Sequence, residues 1–186
     1  MPLRPSIHTI KVSLRHMKPP VWRRLQVSST TSLAELHHII QAAMGWYDYL
    51  HQFEVRDLYY AAPEHELDDT RDESCRTLAN LRVGEHFVYW YDFGDDWCHD
   101  ILVESVDRVD TALTCPRCVT GRRACPPEDC GGPGGFDELM GALGDEKHPE
   151  HEMYREWMPA GYDPACFDLE EINEALARLG TGTLQR

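Results

Sequence analysis

Apolar residues alternating with polar ones constrain this chain more than any other feature, because a period of two belongs to a strand buried on one face. In HTIKVSLRHM, His8 to Met17, the apolar positions are Ile10, Val12 and Leu14. After a break at Lys18–Pro20, VWRRLQVS (Val21 to Ser28) sets Val21, Arg23, Leu25 and Val27 on one side and Trp22 and Arg24 on the other. These segments read as paired strands, with Pro19 and Pro20 arguing against a regular two-residue hairpin between them. The alternation returns in Leu50–Tyr60 (LHQFEVRDLYY), His86–Phe93 (HFVYWYDF) and Trp97–Val109 (WCHDILVESVDRV). A turn at Gly94–Asp96 joins the last two, with the glycine expected to supply its conformation.

The period changes to that of a helix in STTSLAELHHIIQAAMGW, Ser29 to Trp46. Thr31 or Ser32 caps it, Glu35 completes a capping box, Leu33, Leu36, Ile40, Ala43 and Met44 share a face, and Gly45 ends it. Three more helices are predicted late in the chain, at Gly135–Gly144, His148–Met158 with Pro149 in the first turn, and Asp168–Gly180. In the last, Asp168 is the cap and Leu169, Ile172, Leu176 and Leu179 form the apolar stripe. Ala61–Ser74 is acidic and polar and reads as a loose surface loop, and TLANL (Thr77 to Leu81) as one helical turn. No internal repeat is present. The order implies an α+β fold: a mostly antiparallel sheet with one early helix, a C-terminal helical segment and a Cys-rich loop. We expect one domain over residues 1–186, sheet-rich over about 6–110, with the loop at 115–132 and the helices at 135–180.

The formal net charge of −14 repels nucleic acid at long range, so the expected partner is a protein or basic surface of unknown identity. Basic residues do gather locally, at Arg15, Lys18, Arg23 and Arg24, and at Arg117, Arg122 and Arg123. No apolar run reaches the length of a membrane span, and MPLRPSIHTIKVSL lacks the pattern of a secretory signal. A cytoplasmic location with reduced thiols is therefore expected.

Those thiols gather in CPRCVTGRRACPPEDCGG, where Cys115, Cys118, Cys125 and Cys130 form C-x2-C-x6-C-x4-C. Four thiolates suit a closed tetrahedral zinc site, whose work would be to fold a Gly/Pro-rich loop. Three sulfurs with His99, His148 or His151 would serve as well. Free or redox-active thiols, and plain loop cysteines, are the competing readings. YDFGDDWCHD places Asp92, Asp95, Asp96, His99 and Asp100 within nine residues. With His51, the trio Asp92, Asp95 and His99 is the candidate catalytic set for metal-assisted hydrolysis. The plain alternative is a hairpin whose aspartates cap a turn. In WYDYLHQF, Trp46, Tyr47, Tyr49, His51 and Phe53 would line either a ligand cleft or the core. Glu128 and Asp129 read as elements that fix the loop, and His148 and His151 as a pair near one helix face.

PPVWRRLQV, LAELHHIIQAAMGW, LHQF, YDFGDDWCHDI, RRACPPEDCGG and HPEH, in that order, resemble the Ri-plasmid ORF-3-like family, whose members are often labelled TnpR. The resemblance runs from about His8 to Leu179. It implies a single α+β domain of bacteria and archaea, carried on plasmids and mobile elements, and it brings no demonstrated chemistry. The residues argue against site-specific resolvase activity. Ser28, Ser29 and Ser32 sit beside a helix cap, and no basic DNA-binding appendage is present. The leading expectation is an accessory or interaction domain with a structural zinc. The alternatives are a metal-dependent hydrolase or nuclease and a DNA-associated regulator.

Overall fold

In the computed structural model, residues 6–47, 49–108 and 116–180 are described. Strands β1 (Ser6–Leu14) and β2 (Trp22–Ser28) pair antiparallel, with Ile10 opposite Leu25 and Val12 opposite Arg23. Helix α1 (Leu33–Met44) follows. Its start is a reciprocal capping box. The Glu35 backbone donates to Ser32 Oγ at 3.2 Å and the Ser32 backbone to Glu35 Oε2 at 2.8 Å, which satisfies two donors the helix cannot use itself. Gly45 closes it at φ 81°, a conformation glycine adopts without penalty. Strands β3 (His51–Val55), β4 (Leu58–Ala61), β5 (Thr70–Asp72), β6 (His86–Tyr91), β7 (Trp97–Arg108) and β8 (Arg117–Arg122) complete one sheet, in the order β5-β4-β3-β6-β7-β1-β2-β8. Among the described residues, β4 and β5 are the one parallel pair. Helices α2 (Gly132–Gly144), α3 (His151–Trp157) and α4 (Leu169–Gly180) end the described chain.

The core lies between the sheet and α1. Ile10, Val12, Leu25, Val27, Phe53, Tyr89, Ile101 and Val103 meet Leu33, Leu36, Ile40 and Ala43, all buried. Helix α4 packs against α1 and the outer strand β8. There the Asn173 amide takes the place of a ninth strand, accepting from Cys118 N at 2.8 Å and donating to Cys118 O at 3.0 Å. That contact occupies edge groups that would otherwise be open to pairing.

The α+β class and the mostly antiparallel sheet agree with the sequence reading, and four parts differ. Leu50–Tyr60 is two strands, because Arg56 and Asp57 both adopt positive φ (54° and 59°) and turn the chain between Val55 and Leu58. Such a turn usually carries Gly or Asn. Ala61–Ser74 is ordered: β5 pairs with β4, and two 3-10 turns flank it at Pro63–His65 and Glu73–Cys75. The start of the Cys-rich segment is strand β8 at the sheet edge, with Cys118 buried within it. In α4, Leu169 is left exposed, while Leu176 is fully buried. Among the described residues, no helix is long and apolar enough to cross a membrane.

Candidate functional site

The recurring motifs meet at one end of the sheet. Chain leaving α1 (residues 45–47 and 49–50), the β6–β7 turn (Asp92–Asp96) and the segment Ala124–Gly132 pack together there. The turn is built by Asp92, whose Oδ1 accepts from Gly94 N at 3.0 Å and Asp95 N at 3.4 Å. Asp92 and Asp96 take the positive φ values (51° and 55°), so the left-handed positions fall on the aspartates rather than on Gly94. Asp95 Oδ2 accepts from Gly131 N at 3.1 Å, tying the turn to the start of α2. Gly132, at φ 68°, lies so close beneath this turn that a Cβ would overlap the Asp95 carbonyl oxygen.

The aromatic residues form the wall on which Ala124–Gly131 rests. Trp46 is stacked on Tyr91 and Trp97 at centroid separations of 5.3 and 5.4 Å, and its indole N–H donates to Pro126 O at 2.8 Å. The Tyr91 hydroxyl lies between the Tyr47 carbonyl and the Glu128 carboxylate. Burial, and then Glu128, push its pKa up, so it stays a donor. Glu128 also accepts from Tyr47 N at 2.8 Å, and Tyr49 Oη donates to Asp129 at 3.4 Å. Beyond this wall the surface is apolar and acidic at once. Tyr47 is 78% exposed, with Tyr49, Leu50 and Phe93 exposed near it. The Tyr49 phenol is pushed above its usual range by Asp129 first, with Glu128 and Asp92 adding to it. The rim therefore carries a concentrated negative field.

The candidate catalytic residues fall in three places: Asp92 and Asp95 on the β6–β7 turn, His99 in the core behind it, and His51 beside Glu73. One oxygen of Asp92 accepts from the turn backbone and one oxygen of Asp95 from Gly131 N. His99 is fully buried, with Nδ1 3.2 Å from Tyr89 O, its ring edge-on to Trp46, and its pKa pushed down to about 4 by burial. His51, also buried, pairs through Nε2 with Glu73 at 3.0 Å. Its ring stacks on His37 at 3.5 Å and meets His65 edge-on at 4.8 Å. His37 in turn lies 2.7 Å from the Tyr89 hydroxyl. Its pKa is pushed down to about 2, by burial first and then by the neighbouring imidazoles His51, His38 and His65. This stack of α1 on β3 was missed by the sequence reading. Its one local sign was the HH pair on the apolar side of α1.

The cysteines also separate. Cys115 lies outside the described residues. The Cys118 thiol points to Thr120 O at 3.5 Å, the Cys125 thiol to Met44 Sδ at 3.1 Å, and Cys130 Sγ lies 4.0 Å from Gly132 O. Burial raises all three, Cys118 to about 11 and Cys130 to about 12, so each is a neutral thiol at pH 7. Among the described residues, no three His, Cys, Asp or Glu side chains are placed to hold a metal ion. His148 and His151 do not pair on a helix face either. His148 precedes α3, where its Nδ1 accepts from Glu150 N, and His151 Nδ1 lies 3.0 Å from Ala142 O.

Residues 6–171 match the family of plasmid pRiA4b ORF-3-like proteins. The chain belongs to that family. The uncharacterized protein y4hQ of Sinorhizobium fredii is 36% identical over 178 residues, covering 92% of this chain and 91% of its own. A crystal structure of MM3350, a protein of unknown function from Methanosarcina mazei Go1, is 32% identical and superposes with a TM-score of 0.83, over 90% of this chain and 98% of the other. In this chain the segments YDFGDDWCHDI and RRACPPEDCGG are the two faces of one contact, turn against loop.

Proposed function

We propose that this ORF-3-like chain is a non-catalytic binding module whose rim, Tyr47, Tyr49, Leu50 and Phe93 beside Asp92, Glu128 and Asp129, holds a basic segment of a protein partner. The observation that carries this reading is the coincidence of exposed aromatic rings with the carboxylates of Glu128 and Asp129. Aromatic faces and carboxylates together favour a guanidinium or ammonium group over a neutral peptide. The rigid wall behind the rim lowers the ordering cost of binding.

The test is fluorescence anisotropy with a labelled peptide of alternating arginine and glycine at low salt. The expected result is saturable binding that weakens as salt is raised and falls at least about tenfold in a Tyr47→Ala/Tyr49→Ala double variant. Binding by wild type and double variant alike would reduce the interaction to unspecific charge attraction, and no binding at low salt would remove the reading. Zinc in the Cys-rich segment is a separate proposal. One equivalent in freshly purified protein, lost in Cys118→Ser, would support it, and metal-free folded protein would end it.

A further inference from the structure

On the other side of Ala124–Pro127, away from the acidic rim, a cleft of about 430 Å³ opens between the end of α1, this segment, the stretch Pro159–Asp168 and α4. That volume falls within the range of small-molecule sites, about 300–1,000 Å³. Met44, Pro126, Phe167 and Ile172 give it apolar walls. At its inner wall lies Arg23, only 3% exposed although it carries a full charge.

The surroundings of Arg23 are one-sided. Nε donates to Ala43 O at 3.0 Å, and Nη1 donates to Trp22 O at 3.0 Å and Arg122 O at 3.2 Å. Among the described residues, the two hydrogens of Nη2 meet a single acceptor, the weak one offered by Cys125 Sγ at 3.3 Å. The Phe167 ring lies against the guanidinium at 5.1 Å. Among the described residues no carboxylate comes within ion-pair distance of it. Since a buried charge without a countercharge is costly, and α4 and Ala124–Cys125 hold this one at the bottom of an open cleft, the missing partner has a route in.

We propose that this cleft binds a small monocarboxylate with an apolar body, the carboxylate meeting Arg23 Nη2 and the body lying along Met44, Pro126, Phe167 and Ile172. Asp168 and Glu171 line the same cleft and are exposed. Their charge repels a monocarboxylate too, but a dianion more strongly, so it favours a single charge over phosphates and dicarboxylates. The body's size and shape are set by the apolar walls, so an aliphatic chain and a phenyl-bearing chain are both reasonable probes.

The experiment is calorimetric titration of the full chain with octanoate and with 3-phenylpropionate, alongside octanamide and the dicarboxylate suberate as controls. At least one monocarboxylate is expected to bind with one-to-one stoichiometry and to shift the Arg23 Nε–H signal in an NMR spectrum. Octanamide and suberate should bind at least about tenfold more weakly than octanoate. Ala175 lines the cleft from α4, so Ala175→Phe should fill the space and abolish binding while Arg23 stays in place. Arg23→Lys keeps the charge but loses the fork, and should weaken binding if that variant folds. Two results would each overturn the assignment: no heat with either acid at millimolar concentration, or equal binding by octanoate and octanamide. So would binding undiminished by Ala175→Phe.

Discussion

The two halves of Ala124–Gly131 treat charge in opposite ways. The inner half turns Cys125 and the Pro126 carbonyl toward the core, where Arg23 and Trp46 are met by neutral acceptors. The outer half turns Glu128 and Asp129 toward solvent, where they surround exposed tyrosines. A segment of eight residues thus separates a buried cation from a negative surface. The dense acids of YDFGDDWCHDI and RRACPPEDCGG hold the segment in register and charge its outer side. Position against the turn decides which role each residue takes.

The largest effect should come from removing the close approach that sets this register. Gly132→Ala places a Cβ on the Asp95 carbonyl oxygen at a positive φ. The expected cost is about 3 kcal/mol or more, from strain together with a backbone shift. In a chain of this size that is a fall of roughly 6–12 °C in melting temperature by calorimetry. Gly134 lies in the same helix with nothing within 4 Å of an added Cβ. Gly134→Ala should be neutral or gain up to about 1 kcal/mol. Equal losses in the two variants would show that the turn-to-loop contact does not organise this end.

How much of this arrangement was legible in the sequence depends on distance along the chain. The capping box Ser32–Glu35, the Gly45 stop and the alternation in β1, β2, β6 and β7 are local signals, and they read correctly. Arg23 carried two conflicting signals. Alternation put it with Leu25 and Val27 on the apolar side, while the run of arginines suggested a surface patch, and the structure follows the alternation. Strand β5 has three residues and is parallel, and β8 is an edge strand whose pairing with β2 slips at Val119, so neither leaves a periodic trace. The His37–His51 stack and the Asp95–Gly131 bond join residues 14 and 36 positions apart. No spacing rule announces such contacts, because the sheet's topology creates them. The cysteine spacing is equally silent on placement: Cys118 lies in strand β8 and Cys125 in the core beside Met44, positions that only the topology sets.

The next effect contrasts the uncharged interior with the charged rim through pH. Above the ordinary histidine value of 6.5, His37 and His99 are neutral in both folded and unfolded chains and add nothing to the pH dependence. Below it, the unfolded chain takes up protons that these buried rings refuse, so stability falls as pH drops. The fall continues toward pH 4 for His99 and lower for His37, at about 1.4 kcal/mol per pH unit for each ring once the unfolded side chain is protonated. Denaturant titrations between pH 6 and 4.5 should show this slope, a window above the one in which the depressed carboxyls Asp100 and Glu104 titrate. His99→Gln should reduce the slope by about one proton's worth, whatever it does to stability itself. An unchanged slope would mean that the ring is not held neutral.

A smaller effect tests the hinge between the halves. Tyr91→Phe removes the hydroxyl between the Tyr47 carbonyl and Glu128, while the ring keeps its place against Trp46. The expected loss is about 1–2 kcal/mol, because Glu128 retains Tyr47 N and has solvent nearby. Trp46→Phe should cost more, since it leaves the buried Pro126 carbonyl without its donor and opens space among Tyr91 and Trp97. If Tyr91→Phe were the worse of the two, the clasp would be held from the acidic side and the aromatic wall would be secondary.

The smallest structural effect is expected at the rim itself, and its smallness is informative. Asp129→Asn keeps an acceptor for the long Tyr49 contact and alters only the exposed field. Stability should stay within about 0.5 kcal/mol of wild type. The Tyr49 phenol should nevertheless move back toward its ordinary value, because Asp129 is the first cause of its shift. Following the tyrosine absorbance through alkaline pH, with Tyr49→Phe to assign the transition, measures that movement directly. A clear downward shift at unchanged melting temperature would show that the outer half carries charge which folding does not need, as a binding surface requires. An equally large loss of stability would instead make Asp129 part of the same clasp as Asp95, and would join the two halves into one structural unit.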